Sequence, residues 1–269
     1  MFSVCPLTQA QNPGNNAVYN SSNSIKPSLS FIDVSNLPQG FDLCDTIYRL
    51  FTGFLGYPPY PSAGAVIDAR GATNLTCSHG SPWTEGANTV TLPSTILLPA
   101  TTAAAPIVIS SKWILPSYTH LIGQGDAITP NGFTLGTTIQ ASGTFPASSA
   151  MIQFGSSSGC CTAISVENLT LDGTGATVVS GIVNQYAGDL SYVDHVGLYR
   201  ILGTGLSVFG SANKSGPYSN ITFDLGGNSG TSSTICASIN QLTGTRGIHG
   251  LTCISENNVP PAACRKSCQ

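Results

Sequence analysis

Charged residues are scarce in this sequence. Only 8% of its 269 residues are Asp, Glu, Lys or Arg, against about 25% in an average soluble protein. No basic cluster exists to neutralise phosphates and the net charge is −3, so we expect no nucleic-acid partner. Apolar runs fall short of the roughly 18 to 20 residues of a membrane span, so we expect no membrane insertion. Solubility must therefore come from Ser, Thr, Asn and Gly.

Cysteine is abundant by comparison. The nine cysteines are Cys5, Cys44, Cys77, Cys160, Cys161, Cys236, Cys253, Cys264 and Cys268. This number favours disulfides and an extracellular or cell-surface location, with one thiol left over or joined to another chain. Paired metal-ligand spacings are missing, so we expect no metal and no cofactor. Residues 1–6 lack the basic and apolar regions of a signal peptide. If the protein is exported, we expect that its signal was removed or lies upstream.

A fourfold repeat organises the second half of the chain. Its first copy is Val166–Gly173, with the sequence VENLTLDG, and later copies begin at Val193, Tyr218 and Ile248. One apolar position recurs at intervals of 27, 25 and 30 residues: Leu169, Val196, Ile221 and Leu251. Such an inexact period is typical of solenoid repeats.

The aligned copies predict two strands joined by a sharp corner. Apolar residues two positions apart, such as Leu169 and Leu171, point to the same side of a strand and into a core, while Thr170 between them faces out. The predicted corner contains residue types that tolerate a left-handed backbone: Asn168, His195, Asn220 and Gly250. A third strand of each coil is supplied by Ile182, Leu206 and Ile235.

Stacked coils of this kind pair each strand with its equivalent in the next coil, about 4.8 Å away, and form three parallel sheets. The Asn corner, the segment NLTLDG, and the upstream segments GAVIDARG and LPSYTHLIGQG resemble the pectate lyase superfamily, which includes polygalacturonase-like glycoside hydrolases. The resemblance spans residues 42–254. It implies an all-β fold, a right-handed parallel β-helix that forms a three-sheet solenoid.

The N-terminal part predicts a cap for this solenoid. Apolar spacing over Phe41–Phe54 predicts a helix with Asp42 as its N-cap, which would cover the open end of the core. We therefore divide the chain into a poorly structured lead (1–40) with one strand at Leu29–Val34, a capping helix plus β-helix (41–256), and a Cys-containing tail (257–269).

One column of the repeat predicts a catalytic pair. Asp172 and Asp224 occupy equivalent positions two coils apart with Tyr199 between them, and two coil steps of about 4.8 Å approach the roughly 6.5 to 9.5 Å that separates the carboxylates of inverting glycosidases. We predict Asp172 and Asp224 as catalytic residues. The alternative is that each Asp closes its strand through a turn.

A second column contains Glu167, Asp194, Ser219 and His249, and places two like charges one coil apart, where one pKa could be raised. The superfamily resemblance implies that this column lies away from the substrate groove. We therefore expect it to be structural or part of the surface.

The remaining predicted site residues are Tyr199, Arg200, Lys214 and Arg246, whose basic members could bind uronate carboxylates or belong to the ordinary surface. The Asn-Thr-Asp and Asp-Asp signatures of polygalacturonase-like hydrolases do not occur, and acidic residues are not gathered as calcium would require. We expect an exported, polysaccharide-directed β-helix protein, a glycoside hydrolase or lyase acting on uronate-containing glycan. The alternative is a non-catalytic glycan-binding adhesin or a structural surface protein.

The sequence contains five Asn-x-Ser/Thr sequons, at Asn20, Asn74, Asn168, Asn213 and Asn220. A chain rich in Asn and Thr produces this motif by composition alone. Because Asn168 and Asn220 belong to the predicted corner, we expect both to be poor positions for a glycan.

Overall fold

A computed structural model describes residues 31–37, 40–53, 65–78, 80–129, 132–133, 135–157, 161–176, 178–210, 214–226, 234–240, 247–254 and 265–266. The predicted unstructured lead lies mostly outside these residues, as does nearly all of the Cys-containing tail. In the described part the chain is all-β with one α-helix, and its large sheets are parallel. This architecture is compatible with the predicted β-helix.

An 11-stranded parallel sheet forms most of the fold, and we call its two wings sheet I and sheet II. Sheet I contains β1 (Phe31–Asp33), β2 (Ala65–Asp68), β7 (Ser94–Leu97), β10 (Thr119–Ile122) and the first halves of β15 (Ser165–Asp172), β17 (Tyr192–Tyr199), β19 (Tyr218–Asp224) and β21 (Ile248–Ile254). Sheet II contains β3 (Thr76–Cys77), β8 (Ile107–Ile109), β13 (Thr138–Ala141) and the second halves of the same four long strands.

A separate six-stranded parallel sheet, sheet III, lies between sheet II and the next strand of sheet I along the chain. Its strands are β9 (Trp113–Leu115), β14 (Ala150–Phe154), β16 (Ser180–Asn184), β18 (Thr204–Val208), β20 (Ile235–Ile239) and β22 (Arg265–Lys266). Two small antiparallel sheets are added to the parallel ones: β4 (Gly80–Ser81), β5 (Thr84–Glu85) and β6 (Asn88–Thr89), and the pair β11 (Ile128–Thr129) and β12 (Gly132–Phe133).

Left-handed residues bend the long strands at the corner that the sequence predicted. The first half of β15 pairs with β10 while its second half pairs with β13, and between the halves Asn168 has a φ of +53°. His195, Asn220 and Gly250 occupy the same place with φ values of +50°, +53° and +64°. Apart from Gly, few residues other than Asn and Asp readily adopt this left-handed conformation. The bend in the strands therefore explains why Asn recurs at this position.

Register stacks like side chains over like in the core. The inward column of sheet I runs Ile32, Ile67, Ile96, Leu121, Val166, Val193, and all of these are buried. In sheet II the register Leu171↔Leu198↔Phe223↔Cys253 is the predicted one. Burying such columns supplies the main stabilisation of the stack.

Thr170 differs from the prediction that it faces solvent. It is fully buried, because the segment between β10 and β13 folds over it. Its hydroxyl donates to the Asp126 carboxylate (2.7 Å) and accepts from the Ala127 N–H (2.9 Å). An excursion between two strands therefore covers this part of sheet II.

Helix α1 (Leu43–Thr52) begins at the predicted N-cap, Asp42, whose Oδ1 accepts from the Asp45 N–H at 2.8 Å. Oδ2 of the same carboxylate accepts from the Ser78 N–H and hydroxyl, just after β3. The buried face of α1, which includes Ile47, joins the main core cluster. The helix thus packs on the β3 side of the stack. Among the described residues no helix is long and apolar enough to cross a membrane.

Two disulfides are described, Cys44–Cys77 and Cys236–Cys253. The first joins α1 to β3 and the second joins β20 to β21. Cys161 belongs to neither of these disulfides, and its Sγ lies 3.9 Å from the Ser156 carbonyl oxygen. Disulfides fit an oxidising environment, as the cysteine content predicted.

Candidate functional site

The predicted catalytic column lies on sheet II. Asp172 is the register partner of Tyr199, and Tyr199 is the register partner of Asp224. Two strand steps of about 4.8 Å therefore separate the two aspartates. The sequence correctly aligned these three residues.

Both aspartates are tied to neighbouring backbone at the ends of their strands. Asp172 is 4% exposed: its Oδ1 accepts from the backbone and hydroxyl of Thr174, and its Oδ2 accepts from Gln140 Nε2 at 2.8 Å. Asp224 is 7% exposed and accepts from the Gly226 N–H at 2.7 Å. These are the local bonds of Asx turns, which favour the interpretation that each Asp closes its strand.

The other predicted site residues are dispersed. The Arg200 guanidinium lies over the Tyr199 ring, 4.9 Å from its centroid. Lys214 is exposed ahead of β19 and is not part of this column, and Arg246 lies outside the described residues. The structure therefore brings Asp172, Tyr199, Arg200 and Asp224 together and leaves Lys214 apart.

A second group of polar side chains lies on the outer side of sheet I. Glu167 is the register partner of Asp194, one strand step away, and Asp194 is the partner of Ser219. We call this surface the sheet I face and define it by the outward residues and the adjoining corner residues: His120, Ser165, Glu167, Tyr192, Asp194, Ser219, His195 and Asn220.

Glu167 is held by bonds within and between strands. Its Oε1 accepts from the Ser165 hydroxyl (2.6 Å) and from the Tyr192 hydroxyl (2.8 Å). Because the Ser165 proton is used on Glu167, the contact between Ser165 Oγ and His120 Nδ1 (2.7 Å) requires His120 to donate. Burial and then the bond to Glu167 raise the pKa of Tyr192, so this phenol stays protonated as a donor.

Asp194 has hydrogen bonds at both carboxylate oxygens. Oδ1 accepts from the Ser219 hydroxyl (2.6 Å) and Asn220 Nδ2 (3.0 Å), and Oδ2 accepts from His195 Nδ1 (2.8 Å). Burial alone would raise the pKa of Asp194, but the bonds from Ser219, His195 and Asn220 outweigh it and lower the pKa. The carboxylate is therefore ionised, and its Oδ2 orients the His195 ring with Nε2 directed away from Asp194.

The sheet I face combines fixed polar groups with solvent access. The side chains of Asp194 and His195 are 33% and 57% exposed. At the corner ahead of sheet I, Tyr118 and Leu190 are exposed large hydrophobic residues. Such a surface can present acceptors, donors and a ring face to a ligand that lies across the strands. No group of three or more metal-ligating side chains occurs in the described part of the chain.

The sequence predicted that the Glu167 and Asp194 column is structural or part of the surface, but it did not identify His120, Ser165 and Tyr192. Alternation identifies these as outward positions, since each lies next to an inward residue such as Val166 or Val193. The cross-strand bonds themselves depend on side-chain torsions that no sequence pattern encodes.

Comparison with family models, with curated proteins and with solved structures finds no match for this chain. Membership of the pectate lyase superfamily therefore stays a prediction that is carried by the quoted segments.

Proposed function

We propose that the chain is a right-handed, three-sheet parallel β-helix capped by α1, and that it binds polysaccharide outside the cell without cleaving it. The sheet I face is its glycan contact surface. The observation that carries this proposal is the preorganised group of polar side chains around Glu167 and Asp194, held by hydrogen bonds within and between strands. Side chains fixed before binding lose little conformational entropy when a ligand arrives.

Glycan hydroxyls match the chemistry of this face. Carboxylates accept hydrogen bonds from hydroxyls, the oriented imidazole of His195 presents Nε2 as a hydrogen-bonding group, and tyrosine rings pack against the apolar side of a sugar. Charged acceptors make hydrogen bonds roughly twice as strong as neutral ones. Repetition along the strand stack would let one extended chain contact several strands at once.

Charge selects among glycans. Glu167 and Asp194 are carboxylates, and Arg200, the nearest Lys or Arg along the described part of the chain, lies over the Tyr199 ring on sheet II. A uronate polymer would meet like charge, which disfavours binding. We therefore propose a neutral glycan as ligand in place of the uronate-containing one that the sequence led us to expect.

Affinity electrophoresis through gels that contain single polysaccharides tests the proposal. Neutral β-glucans and mannans should retard the protein, and Glu167→Gln combined with Asp194→Asn should abolish the retardation. Glu85→Gln, which removes a carboxylate from the β4–β6 hairpin, is the matched control and should bind normally. Equal retardation of the double variant and the native chain would refute the sheet I face as the contact surface.

Inverting glycoside hydrolysis is the second candidate, favoured by the Asp172, Tyr199 and Asp224 column. In that scheme one aspartate protonates the leaving oxygen and the other activates water, while Arg200 binds substrate beside Tyr199. Reducing-sugar release from a polysaccharide panel, abolished by Asp172→Asn, would support it. Binding without release of reducing ends across the panel would favour the binding module.

A further inference from the structure

Three sequons have their asparagine in the described part of the chain, at Asn74, Asn168 and Asn220. N-linked modification needs two things from a folded chain: an Asn side-chain nitrogen that is free, and space for the attached sugar. The three sites differ in both respects.

At Asn168 there is no space for an attached sugar. It is the left-handed corner of β15, and the hydroxyl of its sequon partner Thr170 is sealed between Asp126 and Ala127 with no exposed surface. A glycan here would have to displace the excursion that covers sheet II.

At Asn220 the side-chain nitrogen is already used in a hydrogen bond. Although the residue is exposed, its Nδ2 donates to Asp194 Oδ1 at 3.0 Å. Attachment of a sugar to this nitrogen would disrupt the hydrogen bonds that orient Asp194 on the sheet I face.

Asn74 meets both needs. Asn74 is exposed in the loop between β2 and β3, and Thr76 is exposed at the start of β3. Asn74 Oδ1 accepts from the Thr76 hydroxyl (2.8 Å) and backbone N–H (3.3 Å), while Nδ2 makes no hydrogen bond to any residue that the structure describes. The amide oxygen is thus anchored to the sequon hydroxyl and the nitrogen is left open.

The Asn74 side chain is exposed, so a sugar attached to it has room in the surrounding solvent. A shallow hollow is lined by Asn74 together with Leu37, Phe41 and Thr46, next to the start of α1. The glycan would therefore rest against the capped end of the stack.

We propose that Asn74 is an N-glycosylation site of this chain in a secretory pathway that supplies polyprenyl-diphosphate-linked oligosaccharide. Asn74 Nδ2 bonds to the anomeric carbon of the first sugar as the bond from that carbon to the diphosphate oxygen breaks. The polyprenyl diphosphate leaves with the electron pair, and one amide proton passes to a base of the transferase. This modification is independent of the proposed glycan binding.

Secretion of the full chain from a eukaryotic host, with an added cleavable signal sequence, tests the proposal. Enzymatic deglycosylation in heavy-oxygen water, followed by peptide mass spectrometry, reads occupancy at each sequon. We expect label at Asn74 and none at Asn168 or Asn220.

Variants separate the motif from the fold. Asn74→Gln and Thr76→Ala should each remove the label, whereas Thr76→Ser retains a hydroxyl and should keep it. Thermal melting should show that all three variants fold. An unlabelled Asn74 in the folded native chain, or label at Asn168 or Asn220, would overturn the proposal.

Discussion

Asp172 and Asp224 on sheet II and Glu167 and Asp194 on sheet I are both carboxylate pairs that strand register aligns, but they differ in exposure and in partners. The sheet II aspartates are almost completely buried and accept bonds from their own turns. The sheet I pair is half-exposed and accepts bonds from side chains on neighbouring strands. Alignment is thus common to both pairs, while the local environment decides which pair can meet a ligand.

The contrast also separates structural from functional use of the same residue type. An Asx turn consumes a carboxylate to satisfy backbone N–H groups at a strand end. A cross-strand ladder leaves part of each carboxylate open to solvent. Substitutions in the two pairs should therefore affect different measurements.

The largest effect is expected on stability from Asp172→Ala. This change leaves the Thr174 N–H and the Gln140 amide without their buried acceptor, which should cost about 2 to 3 kcal/mol of unfolding free energy. Urea denaturation measures it. Asp172→Asn keeps an acceptor oxygen and is the matched control, with a loss of about 1 kcal/mol. Equal stability of Asp172→Ala and the native chain would show that the turn is dispensable.

The next effect is expected on glycan binding from Asp194→Ala. Loss of the acceptor and of the orientation of His195 should weaken affinity about tenfold, or about 1.4 kcal/mol. Isothermal titration with the retarding glycan measures this loss. Stability should change by less than about 1 kcal/mol, because the side chain is partly exposed. Asp224→Asn should leave affinity unchanged, and a tenfold loss there would reverse the assignment of roles.

A smaller effect is expected in the coupling between members of each pair. Like charges directly opposite on neighbouring strands repel, so the double-mutant cycle of Glu167→Gln and Asp194→Asn should show coupling of about 0.2 to 1 kcal/mol in unfolding free energy. The cycle of Asp172→Asn and Asp224→Asn should be additive within about 0.5 kcal/mol, since two strand steps separate those residues. Coupling that is larger on sheet II would contradict the register.

The smallest effect is expected in acid. The pKa of Asp194 is lowered in the folded chain, so its contribution to stability is present above the unfolded value of about 3.9 and is lost as pH falls through the folded pKa. Asp194→Asn should therefore flatten the fall in melting temperature below about pH 4. Glu85→Gln serves as the control. A steeper acid limb in Asp194→Asn would contradict the sign.

Much of the fold could be predicted because the repeat is written in residue types with strong backbone preferences. Asn168 and Asn220 mark the left-handed corner, and the alternation around Leu169 and Leu171 fixes which side chains point inward. Helix α1 could be predicted from its apolar stripe and its N-cap, Asp42. Local chemistry determined these features, so the sequence was sufficient.

Features that depend on irregular segments could not be predicted. The β4–β6 and β11–β12 additions consist of two-residue strands with no periodicity, and no sequence pattern indicated that β1 pairs with β2. Burial of Thr170 follows from the path of the covering excursion. The same holds for the candidate site. The repeat predicted which residues align on neighbouring strands, but the burial of Asp172 and the exposure of Asp194 could be seen only in the structure.

The placement of the two disulfides determines where the molecule would begin to come apart. Cys44–Cys77 ties β3 to α1 and Cys236–Cys253 ties β21 to β20. Among the described strands β3 and β21 each have a paired neighbour on one side alone, and fraying starts most readily at such edges. Reductant should therefore let a protease trim the chain inward from both extremities while the middle windings resist. The disulfides therefore oppose local unfolding at the strands that have the fewest paired neighbours.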